Sequence, residues 1–147
     1  MKCRFFLLIA YLNLLGLSVW GQRNVSNFDR DWRFARFGLQ ADGTRLPEPD
    51  SLEAYEVDDT SWRKLDIPHD WAIEGPFRID LDGYTGKLPW QGIGWYRKHF
   101  AVSAKDKKKM FYLDFDGAMA NAEVWLNGKK VGERPFGYSS FRVDLTP

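Results

Sequence analysis

Cysteine is almost absent from this chain: Cys3 is the only one among 147 residues. A lone thiol closes no disulfide within the chain, so the fold has to be held by burial and hydrogen bonding. Histidine is nearly as scarce. His69 and His99 stand far apart, without the paired spacing a metal site uses, so neither metal nor cofactor is expected. Net charge is also missing, with 21 basic residues against 20 acidic ones. A near-neutral chain has no electrostatic footprint for nucleic acid. Nor is there an apolar run of the roughly 20 residues that a membrane-spanning helix needs. The partner should be neutral, or recognised by shape and hydrogen bonds.

Lys2 and Arg4 supply a positive start, and Phe5 to Leu17 is apolar apart from Tyr11, Asn13 and Gly16. This pattern predicts a secretory signal peptide over residues 1–21, cut after Gly21, and an exported product, periplasmic or extracellular. Cys3 precedes the apolar run, so it is not where a lipid-modified cysteine would sit after cleavage. Cleavage removes Lys2 and Arg4 and no acid, leaving 19 basic residues against 20 acidic ones. Residues 22–147 then form one domain, with no membrane attachment. Aromatic residues make up 16% of the chain. Flat rings fill β-sandwich cores and also stack on sugars, and composition leaves both uses open.

The stretch Asn121 to Gly132 reads as two strands joined by an Asn127-Gly128 turn. A type I′ turn needs φ > 0 at both central residues, and Asn-Gly tolerates that best. The expected register sets Leu126 opposite Lys129, Trp125 opposite Lys130 and Val124 opposite Val131. A first strand is expected within Phe28 to Phe37 and a short one over Trp62 to Ile67. Further strands are expected over Gly94 to Ser103, Lys109 to Phe115 and Phe141 to Leu145, with Tyr96, Phe100 and Val102 sharing one face. Asp59 is expected to cap the turn that leads to Trp62. Asp70 to Gly94 is glycine-rich and loop-like, and loops of that length in a compact domain are usually functional. Short strands punctuated by Gly and Asn turns predict an all-β sandwich.

Several motifs stand in order: Asp59-x-x-Trp62, Ile67-Pro68-His69-Asp70-Trp71, Gly92-Ile93-Gly94-Trp95-Tyr96-Arg97-Lys98, Phe115-Asp116-Gly117, Asn121 through Gly128, and Gly137-Tyr138-Ser139-Ser140-Phe141. Together they closely resemble the N-terminal sugar-binding domain of glycoside hydrolase family 2, β-galactosidase-like, over nearly all of residues 28–147. The resemblance implies a jelly-roll (galactose-binding-like) β-sandwich, truncated here at its C-terminal end. In full-length members an immunoglobulin-like domain and a (β/α)8 barrel follow, and the barrel carries two glutamates for retaining hydrolysis. No residue of this chain matches either glutamate. No catalytic residue is therefore assigned, and the chain alone is expected to be inactive. The implied partners are a β-galactoside-type glycan and the catalytic barrel of the intact enzyme. Glucuronidases and mannosidases of the family share this domain. The alternative is a free-standing carbohydrate-binding module.

By the same resemblance, the segment before the Gly-x-Tyr strand reaches the mouth of the barrel and touches sugar. Here that position falls on Gln91, with Trp90 beside it. Gln91 offers a donor and an acceptor, as hydroxyl recognition needs, and Trp90 offers a stacking face. A purely structural role for both remains the competing reading. Glu74, Asp80 and Asp82 read as a solvated acidic loop, and His69 with Asp70 as a hydrogen-bonded pair fixing it. Lys105, Lys107, Lys108 and Lys109 read as a solvated turn. Tyr138-Ser139-Ser140 fits either a sugar contact or a turn into the last strand.

Overall fold

Strand β1 (Trp32–Leu39) is the middle of a four-stranded antiparallel sheet with β2 (Arg45–Leu46), β3 (Arg63–Leu65) and β4 (Gln91–Arg97). The computed structural model describes residues 23–40, 42–75, 77, 79–81, 83–85, 87 and 91–146. The signal peptide expected over residues 1–21 lies outside the described residues, as do Asp82 and Trp90. In β1, Trp32, Phe34 and Phe37 are all buried. Side-chain direction reverses at each residue, so Phe34 lies on one face of the sheet and Phe37 on the other. Phe34 pairs with Tyr96 and Phe37 with Ile93. Both faces of β1 therefore carry a buried ring.

The rest of the sandwich comes from two ladders. β5 (Tyr112–Phe115) pairs with β8 (Phe141–Asp144), and β6 (Ala122–Leu126) pairs with β7 (Lys129–Arg134). The alternation expected over Lys109 to Phe115 and Phe141 to Leu145 is present. Leu113 lies opposite Val143, and Phe115 stacks on Phe141 with ring centroids 4.6 Å apart. Val143 is only 4% exposed and packs on β7. Two short 3-10 turns, Trp71–Glu74 and Gly83–Thr85, interrupt the long loop before β4. No helix among the described residues is long and apolar enough to cross a membrane.

The hairpin turn is as expected, with φ of 50° at Asn127 and 82° at Gly128. Its register is not. Trp125 faces Lys130, but Val124 faces Gly132, because a bulge displaces Val131 from the ladder. The reason lies in the neighbouring strand. A Cβ on Gly132 would stand 2.8 Å from Val143 Cγ2, so any larger residue where β7 meets β8 would have to push the buried Val143 side chain aside. The extra residue puts Gly132 there. Replacing Asn127-Gly128 with Ala-Ala is expected to cost about 1–2 kcal/mol through strain at positive φ. A thermal melt checks this, and an unchanged midpoint would contradict it.

The strand expected over Gly94 to Ser103 stops at Arg97, which pairs with Arg33. Beyond that point β1 supplies only Trp32, and the ladder has nothing further to bond. Phe100 and Val102 consequently leave the core. Phe100 rests edge-on against Phe28 at 5.2 Å instead.

Candidate functional site

Gln91 opens β4 and is exposed, with its backbone paired to Leu39. One residue on, β1 and β4 cross at two glycines. Gly92 has φ of 146° and Gly38 has φ of 106°. A Cβ on Gly92 would lie 1.9 Å from the Phe37 carbonyl oxygen, and one on Gly38 would lie 2.7 Å from Gly92 Cα. The position of Gln91 is thus set by backbone-to-backbone contact that only glycine permits. Gln40 reinforces the crossing by donating to the Gly38 carbonyl at 3.0 Å.

The 3-10 turn Trp71–Glu74 lies across β4. Trp71 occupies the space above Gly94, where a Cβ would meet the indole Nε1 at 2.7 Å. The Arg36 guanidinium sits 5.7 Å from the Trp71 ring, and burial lowers its pKa. Asp70 caps the turn by accepting from the Ala72 N–H at 2.9 Å. His69 points elsewhere: its Nδ1 lies 2.7 Å from the Tyr96 hydroxyl and its Nε2 lies 2.9 Å from Glu74 Oε1. The expected His69–Asp70 pair does not form. Asp70 is in extended backbone, where successive side chains diverge.

Glu74 is exposed, as expected, but it is also held by two partners. Arg63 donates to Glu74 Oε1 at 2.5 Å. That bond, followed by the one from His69, holds the Glu74 carboxyl below the usual carboxylate range. A general acid needs the opposite shift, so Glu74 serves as an anchor rather than a proton donor. Asp80 is exposed, as expected. Burial pushes the Tyr96 hydroxyl up to about 12, with the charges of Asp70 and Glu74 adding to the effect. A raised folded-state pKa contributes stability that is complete below the ordinary value and is lost as pH rises. Stability is therefore expected to fall between pH 10 and about 12 as Tyr96 ionises. Denaturant melts across that range should show the slope, and Tyr96→Phe should flatten it.

Asp59 is the residue that sequence reasoning misplaced. The cap is Asp58, whose Oδ1 accepts from the Thr60 N–H at 3.0 Å. The Asp59 side chain turns inward and is 6% exposed. It meets His99 Nε2 at 2.7 Å, Arg97 Nε at 3.4 Å and Arg33 Nε at 3.8 Å. Arg33 and Arg97 are register partners on β1 and β4. Arg97 also donates to the carbonyls of Leu52, Ala54 and Tyr55 at 3.0, 2.6 and 3.0 Å. The cluster fastens the segment from Leu52 to Thr60 onto the sheet. Its one sequence signal is the pair of arginines set into aromatic strands.

At the other end of the fold, Arg142 grips Asp114 through two bonds of 2.5 and 2.9 Å, which lowers the Asp114 pKa. Ser139 accepts from Arg134 at 2.6 Å, within the turn that leads into β8. In the lysine run Lys109 pairs with Asp106 at 2.6 Å, while Lys105, Lys107 and Lys108 are exposed. No group of metal-ligating side chains is present among the described residues.

No family model matches the chain. Individual proteins do. A β-galactosidase of Bacteroides ovatus is 46% identical over 127 residues, covering 85% of this chain and 14% of the relative. A solved family 2 glycosyl hydrolase from Bacteroides cellulosilyticus DSM 14838 is 32% identical, with a TM-score of 0.62, over 82% of this chain and 15% of that one. The chain belongs to glycoside hydrolase family 2, as an N-terminal domain. A β-glycosidase structure from Bacteroides vulgatus matches this family 2 domain with 41% identity and a TM-score of 0.68, covering 82% of this chain and 15% of that one. A β-glucuronidase of Formosa agariphila is 30% identical over 131 residues, covering 86% of this chain and 12% of the relative. The family 2 domain thus spans about one seventh of the length of the Bacteroides ovatus relative, and its β-sandwich is the portion these enzymes share with it.

Proposed function

We propose that this domain serves an exported family 2 glycosidase acting on β-galactosides, supporting the catalytic barrel and supplying a wall of the sugar pocket from the loop around Trp90 and Gln91. The observation that carries this reading is the 46% identity to the Bacteroides ovatus β-galactosidase. The exposed amide of Gln91, held at the Gly38–Gly92 crossing, supports the sugar contact. The basic start and apolar run of residues 1–21 support export. The bond-breaking carboxyls belong to the barrel, and Glu74 is committed to Arg63 and His69.

A chimera tests it, with this chain replacing the matched segment of the Bacteroides ovatus enzyme. The chimera should hydrolyse a chromogenic β-galactoside, and the 147-residue chain alone should not exceed a blank. In the chimera, Gln91→Ala should raise KM about tenfold, the loss of one sugar hydrogen bond. An unchanged KM would remove Gln91 from the pocket, and turnover by the chain alone would overturn the reading. Binding of galactose by the isolated chain in isothermal titration would favour a free-standing module instead.

A further inference from the structure

We propose that Met119, Phe136 and Tyr138 form the seat on which this domain docks against the remainder of a family 2 polypeptide. The proposal rests on the reading above and names where that partner meets the domain. Two loops build the surface, residues 116–121 between β5 and β6 and residues 135–140 between β7 and β8. They are tied to each other by backbone. The Asn121 N–H donates to the Pro135 carbonyl at 3.0 Å. Gly137 lies so close under the first loop that a Cβ would stand 2.7 Å from the Ala120 nitrogen and 3.1 Å from Met119 Cα. Arg134 holds the Ser139 hydroxyl.

None of these ties uses the side chain of Met119, Phe136 or Tyr138. Yet these three are 71%, 57% and 80% exposed, on loops whose shape is already accounted for. The two rings stand 5.7 Å apart at 59°, presenting a corner of apolar surface to solvent. Methionine and aromatic side chains are the types enriched where proteins meet, and a rigid loop offers them at little ordering cost.

The chemistry favours a protein occupant over a glycan. Met119 brings a thioether with little to offer a sugar hydroxyl, and the nearby Ser139 hydroxyl is engaged by Arg134. The open depression beside the seat contains Asp114 and Arg142, and these are bound to each other. The occupant is the enzyme's own polypeptide because the matched region is only 14% of the Bacteroides ovatus relative and 15% of the Bacteroides vulgatus structure. Most of each of those chains lies outside this domain, so the polypeptide to cover this apolar corner is available on the same chain.

The test compares Phe136→Ser/Tyr138→Ser in the 147-residue chain and in the chimera described above. The melt of the isolated chain should be unchanged by the pair. The chimera should lose its single cooperative melt and show the domain unfolding separately, with Phe136→Leu/Tyr138→Phe restoring it. A chimera that melts as one unit despite the serine pair overturns the proposal and leaves the family reading intact. Equal damage to the isolated chain overturns it by making the residues internal supports. Loss of self-association in the isolated chain would give the surface to a second copy, and loss of galactoside binding would give it to a glycan; either overturns it. An unsubstituted chimera that fails to assemble or hydrolyse overturns the family reading, and the proposal with it.

Discussion

Gly92→Ala is expected to cost about 3 kcal/mol or more and to displace Gln91. Two effects combine. At φ of 146° an L side chain is strained before any neighbour is considered. The added Cβ would also lie 1.9 Å from the Phe37 carbonyl oxygen, and that atom is backbone in the central strand, not the end of a pliable side chain. The strands can relieve the overlap only by separating. Separation opens the pairings that flank the crossing, Phe37 with Ile93 and Leu39 with Gln91. Urea denaturation of the variant measures the loss. Gly83→Ala is the control, because a Cβ there meets nothing within 4 Å. It should fall within about 0.5 kcal/mol of the parent. If Gly92→Ala proved as mild as that control, the crossing would be wrongly described.

Removing the Asp59 carboxylate should be about as damaging, at about 3 kcal/mol for Asp59→Ala. Arg97 and Arg33 have side chains that are 15% and 23% exposed, so water reaches them poorly. Without Asp59, two guanidinium groups face one another across β1 and β4 with no acid between them. Their carbonyl acceptors remain, namely Leu52, Ala54 and Tyr55 for Arg97 and Asp59 and Thr60 for Arg33. Those bonds keep the estimate at the low end of the range for a broken buried pair. Asp59→Asn keeps the shape and loses the charge, so it should cost less than Asp59→Ala. Chemical denaturation of both variants decides the matter. An alanine variant as stable as the parent would reduce Asp59 to a surface acid.

The contrast between Asp58 and Asp59 marks the limit of legibility in the sequence. Either residue can cap a turn by local hydrogen bonding, and nothing in the adjacent residues separates them. What separates them is Arg33 and Arg97, brought side by side by strand pairing across a long stretch of sequence. The same holds for Glu74. It is the exposed loop acid its neighbours suggest, but only the fold shows that Arg63 on β3 and His69 hold it in place. Gln91 shows the same limit: the sequence leaves it in the loop before a strand that starts at Gly94, whereas the structure makes it the exposed first residue of β4. The Asn127-Gly128 turn, by contrast, was legible. Its conformation depends on two adjacent residues and on no distant partner.

Features carried by short-range pattern were therefore settled by the amino-acid order alone. These are the all-β class, the shared face of Leu113 and Phe115 and of Phe141 and Val143, the hairpin turn, and the family membership written in six ordered motifs. Features that need two distant segments to meet were decided only by the folded chain. They include the bulge that sets Gly132 against Val143, the Gly38–Gly92 crossing, the burial of Asp59 between two arginines, and the early end of β4. The physical reason is range. Turn preference and strand alternation act over a few residues, whereas steric exclusion and ion pairing act between surfaces that only tertiary packing brings together.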